Sequence, residues 1–251
     1  MGCVRGRTTE YVHRMTQPAA DLNNALRDLI DVVRTADLES VDLAAPISAV
    51  RDLADELRPH RHEGMRMQAA LKYENLMDDV SARMVDAGGR DEDDADTYAR
   101  QGVMDPNEFF PYSPVVGALN PIAPPVKMWR ADGERGQEVH GEANLGAAYN
   151  GPPDCVHGGV IAEVFDELLG CVCVTNGIGG FTGTLTVIYR STTPLSQPLR
   201  LRGWHERSEG RKVFAKGTLH HGDTLCAEAE GIFIRSEQLS PDGRGPSEAV
   251  G

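Results

Sequence analysis

The chain has 251 residues, 40% of them hydrophobic, with a formal charge of −13 and a pI near 5.0. That length holds one large domain, or a domain of about 100–150 residues with an extension. The acidic balance argues against the basic stripe of a nucleic-acid binder. No apolar run approaches the ~20 residues of a membrane span, and the first residues lack an apolar signal core. A soluble, cytoplasmic protein is expected. Cys3, Cys155, Cys171, Cys173 and Cys226 make an odd set, and the C-x-C at 171–173 is not the C-x-x-C of a redox or zinc site, so reduced thiols are expected.

Residues 1–18 read as a loose terminus. Over residues 19–34, Leu22, Ala25, Leu26, Leu29, Ile30 and Val33 recur at helical spacing. A second helix is expected over 47–57, with Pro46 near its first turn, and a third over about 64–85, ended by Gly88-Gly89. The acidic run at 91–96 lacks the Gly-centred turn and closing Glu of a calcium loop, and reads as solvated charge with no metal. Residues 105–125 are rich in Pro and Asn and form an extended connector, laid on a surface by Phe109, Phe110 and Tyr112. The expected parts are a helical extension over 1–104, this connector, a domain over 126–237 and a disordered tail over 238–251.

After Val126 the period changes. A strand around Val126 and Met128, a turn at Asp132-Gly133 and a strand over 139–149 precede a Gly/Pro loop and a helix over 157–174. Strands follow over 184–193, 199–207, 213–220 and 224–235, joined by turn residues. Helix and strands are segregated, which gives an α+β class with an antiparallel sheet wrapped on one helix.

Most of the chemistry lies between Asn150 and Asp166. His157-Gly158-Gly159 opens the helix, where unpaired N–H groups and the positive dipole end collect. Glycine lets a substrate carbonyl reach bare backbone. Asp166 stands nine positions after His157. An oxyanion hole with a carboxylate nearby points to acyl transfer to water, with no Ser or Cys nucleophile. On the helical wheel Val160, Ile161, Val164, Phe165, Leu168 and Val172 share a face; Glu163 and Glu167 lie opposite, as surface or interface groups, and Asp166 lies to one side. The glycine run at 177–183 follows a helix and lacks a Lys, so it is a helix-to-strand turn and not a phosphate cradle. There is no Gly-x-Ser-x-Gly elbow, and His220-His221 and His60-x-His62 lack the companions a metal needs.

His157-Gly158-Gly159, Asp166, Gly170, Thr182, Tyr189-Arg190 and Pro194 together resemble the hotdog-fold acyl-CoA thioesterases, in their PaaI-like and THEM4-like branch. The resemblance covers roughly residues 120–237. It implies a hotdog fold with an α-helical N-terminal extension. It also implies a homodimer or dimer of dimers with active sites at the interface, and an acyl-CoA substrate that brings coenzyme A with it and needs no cofactor. Asp166 would be the general base or nucleophile, and the Gly158 or Gly159 N–H would hold the thioester oxygen. Thr182 would come from the partner subunit. Asn150 would orient substrate or water, although it stands one residue further from the His than the pattern has it. His157 either closes its loop by hydrogen bonding or polarises the carbonyl. Arg190, Arg211 and Lys212 are candidates for coenzyme A phosphates, or ordinary solvated charges. Two rivals remain. One is a non-catalytic acyl-CoA-binding or regulatory hotdog protein, suggested by the acidic helical extension. The other is a hydratase, whose Asp and His would have to be Asp154 and His157. The N-terminal helices are expected to brace the outer face of the sheet.

Overall fold

The computed structural model describes residues 5–64, 66–69, 105–178 and 180–235, with side chains from Gln17 onward. Helix α1 spans Arg5–Thr35 and α2 spans Ala44–Leu57. The expected loose terminus is therefore helical from Arg5. Between Gly6 and Pro18 no residue breaks a helix, and the helix continues through Pro18 with one backbone donor fewer. Pro46 falls in the first turn of α2, as expected. α2 buries none of its residues; Ile47, Val50, Leu53 and Leu57 are 38–50% exposed. The expected third helix does not form over 66–69, and its remainder, the acidic run and the tail lie outside the described residues.

The connector is not an extended surface strap. It opens with the short helix α3, Pro106–Phe109, capped by the Asp105 carboxylate, which accepts from the N–H groups of Asn107 and Glu108. It then sends Val115, Val116 and Ala123 into the core at 2% exposure or less. Asn107 stitches it in place: Nδ2 donates to the carbonyls of Val116 (3.0 Å) and Val126 (2.8 Å), and Oδ1 accepts from Met128 N (2.8 Å). α1 docks on this connector and not on the sheet's outer face. The Arg27 guanidinium donates to the carbonyls of Ala118 (2.9 Å), Asn120 (3.0 Å) and Ala123 (2.8 Å).

The sheet is built from β1 (Lys127–Gly133), β2 (Gly136–Asn144), β3 (Gly180–Tyr189), β4 (Pro198–Glu209), β5 (Lys212–His221) and β6 (Thr224–Arg235). All neighbours are antiparallel, in the order β1-β2-β4-β5-β6-β3. The first hairpin turns two residues later than expected, at Glu134-Arg135 before Gly136, whose φ of +89° suits glycine. The second strand ends at Asn144, and Ala147–Tyr149 form a 3-10 turn.

Helix α4, Gly158–Thr175, crosses the inner face of the sheet and buries Phe165, Leu168, Leu169 and Val172 completely. Burying each such side chain contributes about 1.5–3 kcal/mol. Gly203 and Gly217, paired across β4 and β5, let the helix lie close: a Cβ on either would come within 3.0 Å of Leu168. On the outer face the carboxylate of Glu138 is 1% exposed and takes two bonds from Arg202, at 2.6 and 2.8 Å, and one contact from His140 at 3.1 Å. The Arg202 bonds above all hold that carboxyl down at about 2.

Candidate active site

The loop ahead of α4 is tied down before the helix begins. His157 N donates to the Tyr149 carbonyl at 2.9 Å, and Asn150 Nδ2 donates to the carbonyls of Pro152 (2.9 Å) and Cys155 (3.1 Å). The Asn150 side-chain nitrogen thus closes its own loop. His157 caps the helix: its Nδ1 accepts from Gly159 N at 3.0 Å, which places the proton of a neutral ring on Nε2. Of the two candidate backbone donors, the Gly159 N–H is therefore spent on the cap. The Gly158 N–H has no partner among the described residues. Tyr189 donates its hydroxyl to the Gly158 carbonyl at 2.7 Å.

Two turns along, Asp166 is half-buried and faces β3. Thr182 Oγ1 donates to Asp166 Oδ1 at 2.8 Å within the same chain, where the resemblance had implied a partner's Thr. The reason is a bulge. Strict alternation from Leu185 and Val187, the partly buried residues of β3, would turn Thr182 away from the helix. The register of β3 on β6 slips between Thr182 and Thr184, and the extra residue, Gly183, brings Thr182 back to the helix side.

The start of α4 and Asp166 are eight residues apart, about 12 Å along the helix axis at 1.5 Å per residue. One thioester carbonyl cannot touch both the Gly158 N–H and the Asp166 carboxylate of a single chain. The candidate cations are also split. Arg190 pairs with Glu228 at the Tyr189 end of β3, whereas Arg211 Nη2 donates to the Arg235 carbonyl at 3.3 Å at the Gly180 end. Lys212 is exposed beside Arg211.

Burial pushes the Cys173 thiol up to about 12 and the Cys171 thiol well above its ordinary value, so neither supplies a thiolate at neutral pH. The wheel put Glu167 with Glu163 as a surface or interface group. Glu163 is exposed, but Glu167 is half-buried, because the connector covers its side of α4. Among the described residues no group of three or more His, Cys, Asp or Glu could hold a metal, and no helix is long and apolar enough to cross a membrane.

A six-stranded antiparallel sheet curled on one long helix is the hotdog fold, and a His-Gly-Gly helix start with a carboxylate nine residues on gives it the look of a thioester-handling protein. No sequence-family profile matches the chain. Among curated proteins it is 32% identical over 98 residues to the acyl-coenzyme A thioesterase THEM4 of Mus musculus, covering 38% of this chain and 42% of that protein. It is 36% identical over 92 residues to THEM4 of Xenopus laevis, covering 36% and 41%. The match thus spans about two-fifths of the length of these relatives. Among solved structures it is similar to a thioesterase superfamily protein, with a TM-score of 0.66, 26% identity and coverage of 86% of this chain and 90% of that one. That coverage extends beyond the hotdog part into the N-terminal helices. The chain thus has the hotdog fold and is similar in sequence to acyl-CoA thioesterases over about two-fifths of their length.

Proposed function

We propose that the protein hydrolyses an acyl-CoA thioester to the free acid and coenzyme A, at a site shared by two chains. The observation that carries this is the Asp166–Thr182 pair on the helix side of β3, set about 12 Å from an unpaired Gly158 N–H. β3 is a sheet edge ten residues long, with Phe181, Ile188 and Tyr189 at 67%, 42% and 52% exposure. Such an edge is a ready template for a second chain. Antiparallel pairing of two β3 edges sets the Thr182 end of one chain beside the Tyr189 end of the other. Asp166 then faces the partner's Gly158, and Arg211 and Lys212 face the partner's Arg190, gathering cations for the phosphates of coenzyme A.

Two routes fit this arrangement. In one, Asp166 takes a proton from water as the water oxygen bonds to the thioester carbon. The carbonyl oxygen becomes an oxyanion held by the Gly158 N–H and the helix dipole. The C–S bond then breaks, and the coenzyme A thiolate leaves and takes up the proton. In the other, an Asp166 oxygen attacks the carbon, the thiolate leaves, and water hydrolyses the mixed anhydride. Thr182 holds the carboxylate in either case, and His157 fixes the loop that presents Gly158.

The test is release of free thiol from a panel of fatty and aromatic acyl-CoAs. Turnover that vanishes in Asp166→Ala supports the reading. Saturable binding without turnover of any substrate points instead to an acyl-CoA-binding regulatory protein.

A further inference from the structure

The edge strand β3 bonds α4 through side chains at both of its ends. Near its start, Thr182 donates to Asp166. At its last residue, Tyr189 reaches back to the start of the helix and donates its hydroxyl to the Gly158 carbonyl at 2.7 Å. Alternation from Leu185 and Val187 already puts Tyr189 on the helix side, so no bulge is needed at this end.

The Gly158 carbonyl and the Gly159 N–H belong to one peptide plane. The N–H of that plane donates to His157 Nδ1 at 3.0 Å, and its carbonyl accepts from Tyr189. Side chains thus hold both ends of the plane, one from the loop and one from the strand. On the other side of the Gly158 Cα, the His157 carbonyl accepts from Val160 N at 3.0 Å and Ile161 N at 3.1 Å. Gly158 sits between two pinned planes, and they set the direction of its N–H. Pinning matters at this point, because glycine is the loosest residue of a chain and helix ends fray. Tyr189 and Gly158 also fit each other: a Cβ on residue 158 would lie 3.3 Å from the Tyr189 hydroxyl oxygen, closer than an ordinary contact.

The backbone that carries the tyrosine is firmly held. Tyr189 pairs with Ala227 of β6, and beside it Arg190 N and Ser191 N donate to the Cys226 carbonyl at 2.8 and 3.0 Å. Ala227 and Cys226 are fully buried. Tyr189 itself is 52% exposed, so core packing is not what its side chain supplies. We propose that Tyr189 is a positioning residue: its hydroxyl fixes the Gly158–Gly159 peptide and so aims the Gly158 N–H at the thioester oxygen. This rests on the reading of Gly158 as the oxyanion donor. Tyr189 touches no reacting atom and acts through the backbone. One strand then sets both halves of the chemistry, Thr182 holding the carboxylate and Tyr189 the donor. A donor aimed in advance at the developing charge favours the transition state over the bound substrate, so its loss of aim is read in kcat.

The test is Tyr189→Phe in the full-length chain, which removes one oxygen and keeps the ring. With acyl-CoA substrates kcat should fall about three- to tenfold, the size of one lost neutral hydrogen bond, with KM within about twofold of the wild type. In glycine-labelled protein read by NMR, amide exchange at Gly159 should quicken by about three- to tenfold, while Gly203 and Gly217 in the sheet exchange as in the wild type. Melting temperature and molar mass in solution should match the wild type. An unchanged kcat would overturn the proposal. So would a fall in kcat that comes with a raised KM, a lower melting temperature, a smaller molar mass or unchanged Gly159 exchange. Exchange needs no substrate, so a wild type that turns over no thioester sinks the thioesterase reading, while Gly159 exchange still decides whether Tyr189 fixes this peptide.

Discussion

The two sides of α4 set the same functional group in opposite surroundings. On the β3 side, Asp166 keeps a hydroxyl donor and an open approach. On the connector side, Glu167 has one oxygen sealed from solvent with no hydrogen-bond partner among the described residues, and loss of solvent pushes its carboxyl up to about 7. Side-chain type therefore says little about role here. What separates the two groups is what lies over each, and in this chain that is a bulged edge strand on one side and a folded connector on the other.

The sharpest way to break the comparison is Asp166→Ala. It should lower kcat by about 10²–10⁴-fold with the melting temperature little changed. Gly158→Pro comes next. Proline is at home in the first turn of a helix, and His157, at φ −63° and ψ 133°, already has the backbone a residue before proline needs; the change deletes one N–H, and its Cβ, 3.3 Å from the Tyr189 hydroxyl, requires that side chain to give slightly. It should cost about 10²–10³-fold in kcat. Thr182→Val keeps shape and removes the bond to Asp166; a loss of about tenfold is expected, mostly in kcat. Glu138→Gln probes the sheet's outer face, away from both sides of α4. It should leave kcat unchanged and cost about 1–3 kcal/mol of stability at neutral pH, the smaller end reflecting the 38% exposure of the Arg202 side chain. The Glu138 carboxyl is held low, so its contribution is present above about 4.5 and fades as pH falls toward about 2.

Most of the strands and α4 were legible because each has a local cause: period-two alternation, turn residues, and His-Gly-Gly ahead of an amphipathic run; β3, expected over 184–193, runs Gly180–Tyr189, through part of the glycine run read as a turn. The last strand matches residue for residue at Thr224–Arg235. What stayed hidden depends on contacts distant in sequence. Nothing near Pro106 or Pro114 announces that Val115 and Val116 enter the core, and so nothing near Glu167 announces its burial. On sequence, Thr182 falls inside the helix-to-strand turn at 177–183; strict alternation along β3 would turn it away from the helix, and a glycine bulge is silent until the β6 register is known. Two glycines in a row read as two equal donors, and only the cap bond of His157 separates Gly159 from Gly158.

The central claim, a thioesterase site assembled from two chains, is tested most directly by mixing Asp166→Ala and Gly158→Pro chains, each inactive alone, under conditions that let subunits exchange. If Asp166 of one chain works with Gly158 of the other, each mixed dimer holds one intact site, and thiol release should return to about a quarter of the wild-type rate. If both groups serve one carbonyl within a single chain, every site carries a defect, and a mixture as inactive as its components would contradict the account.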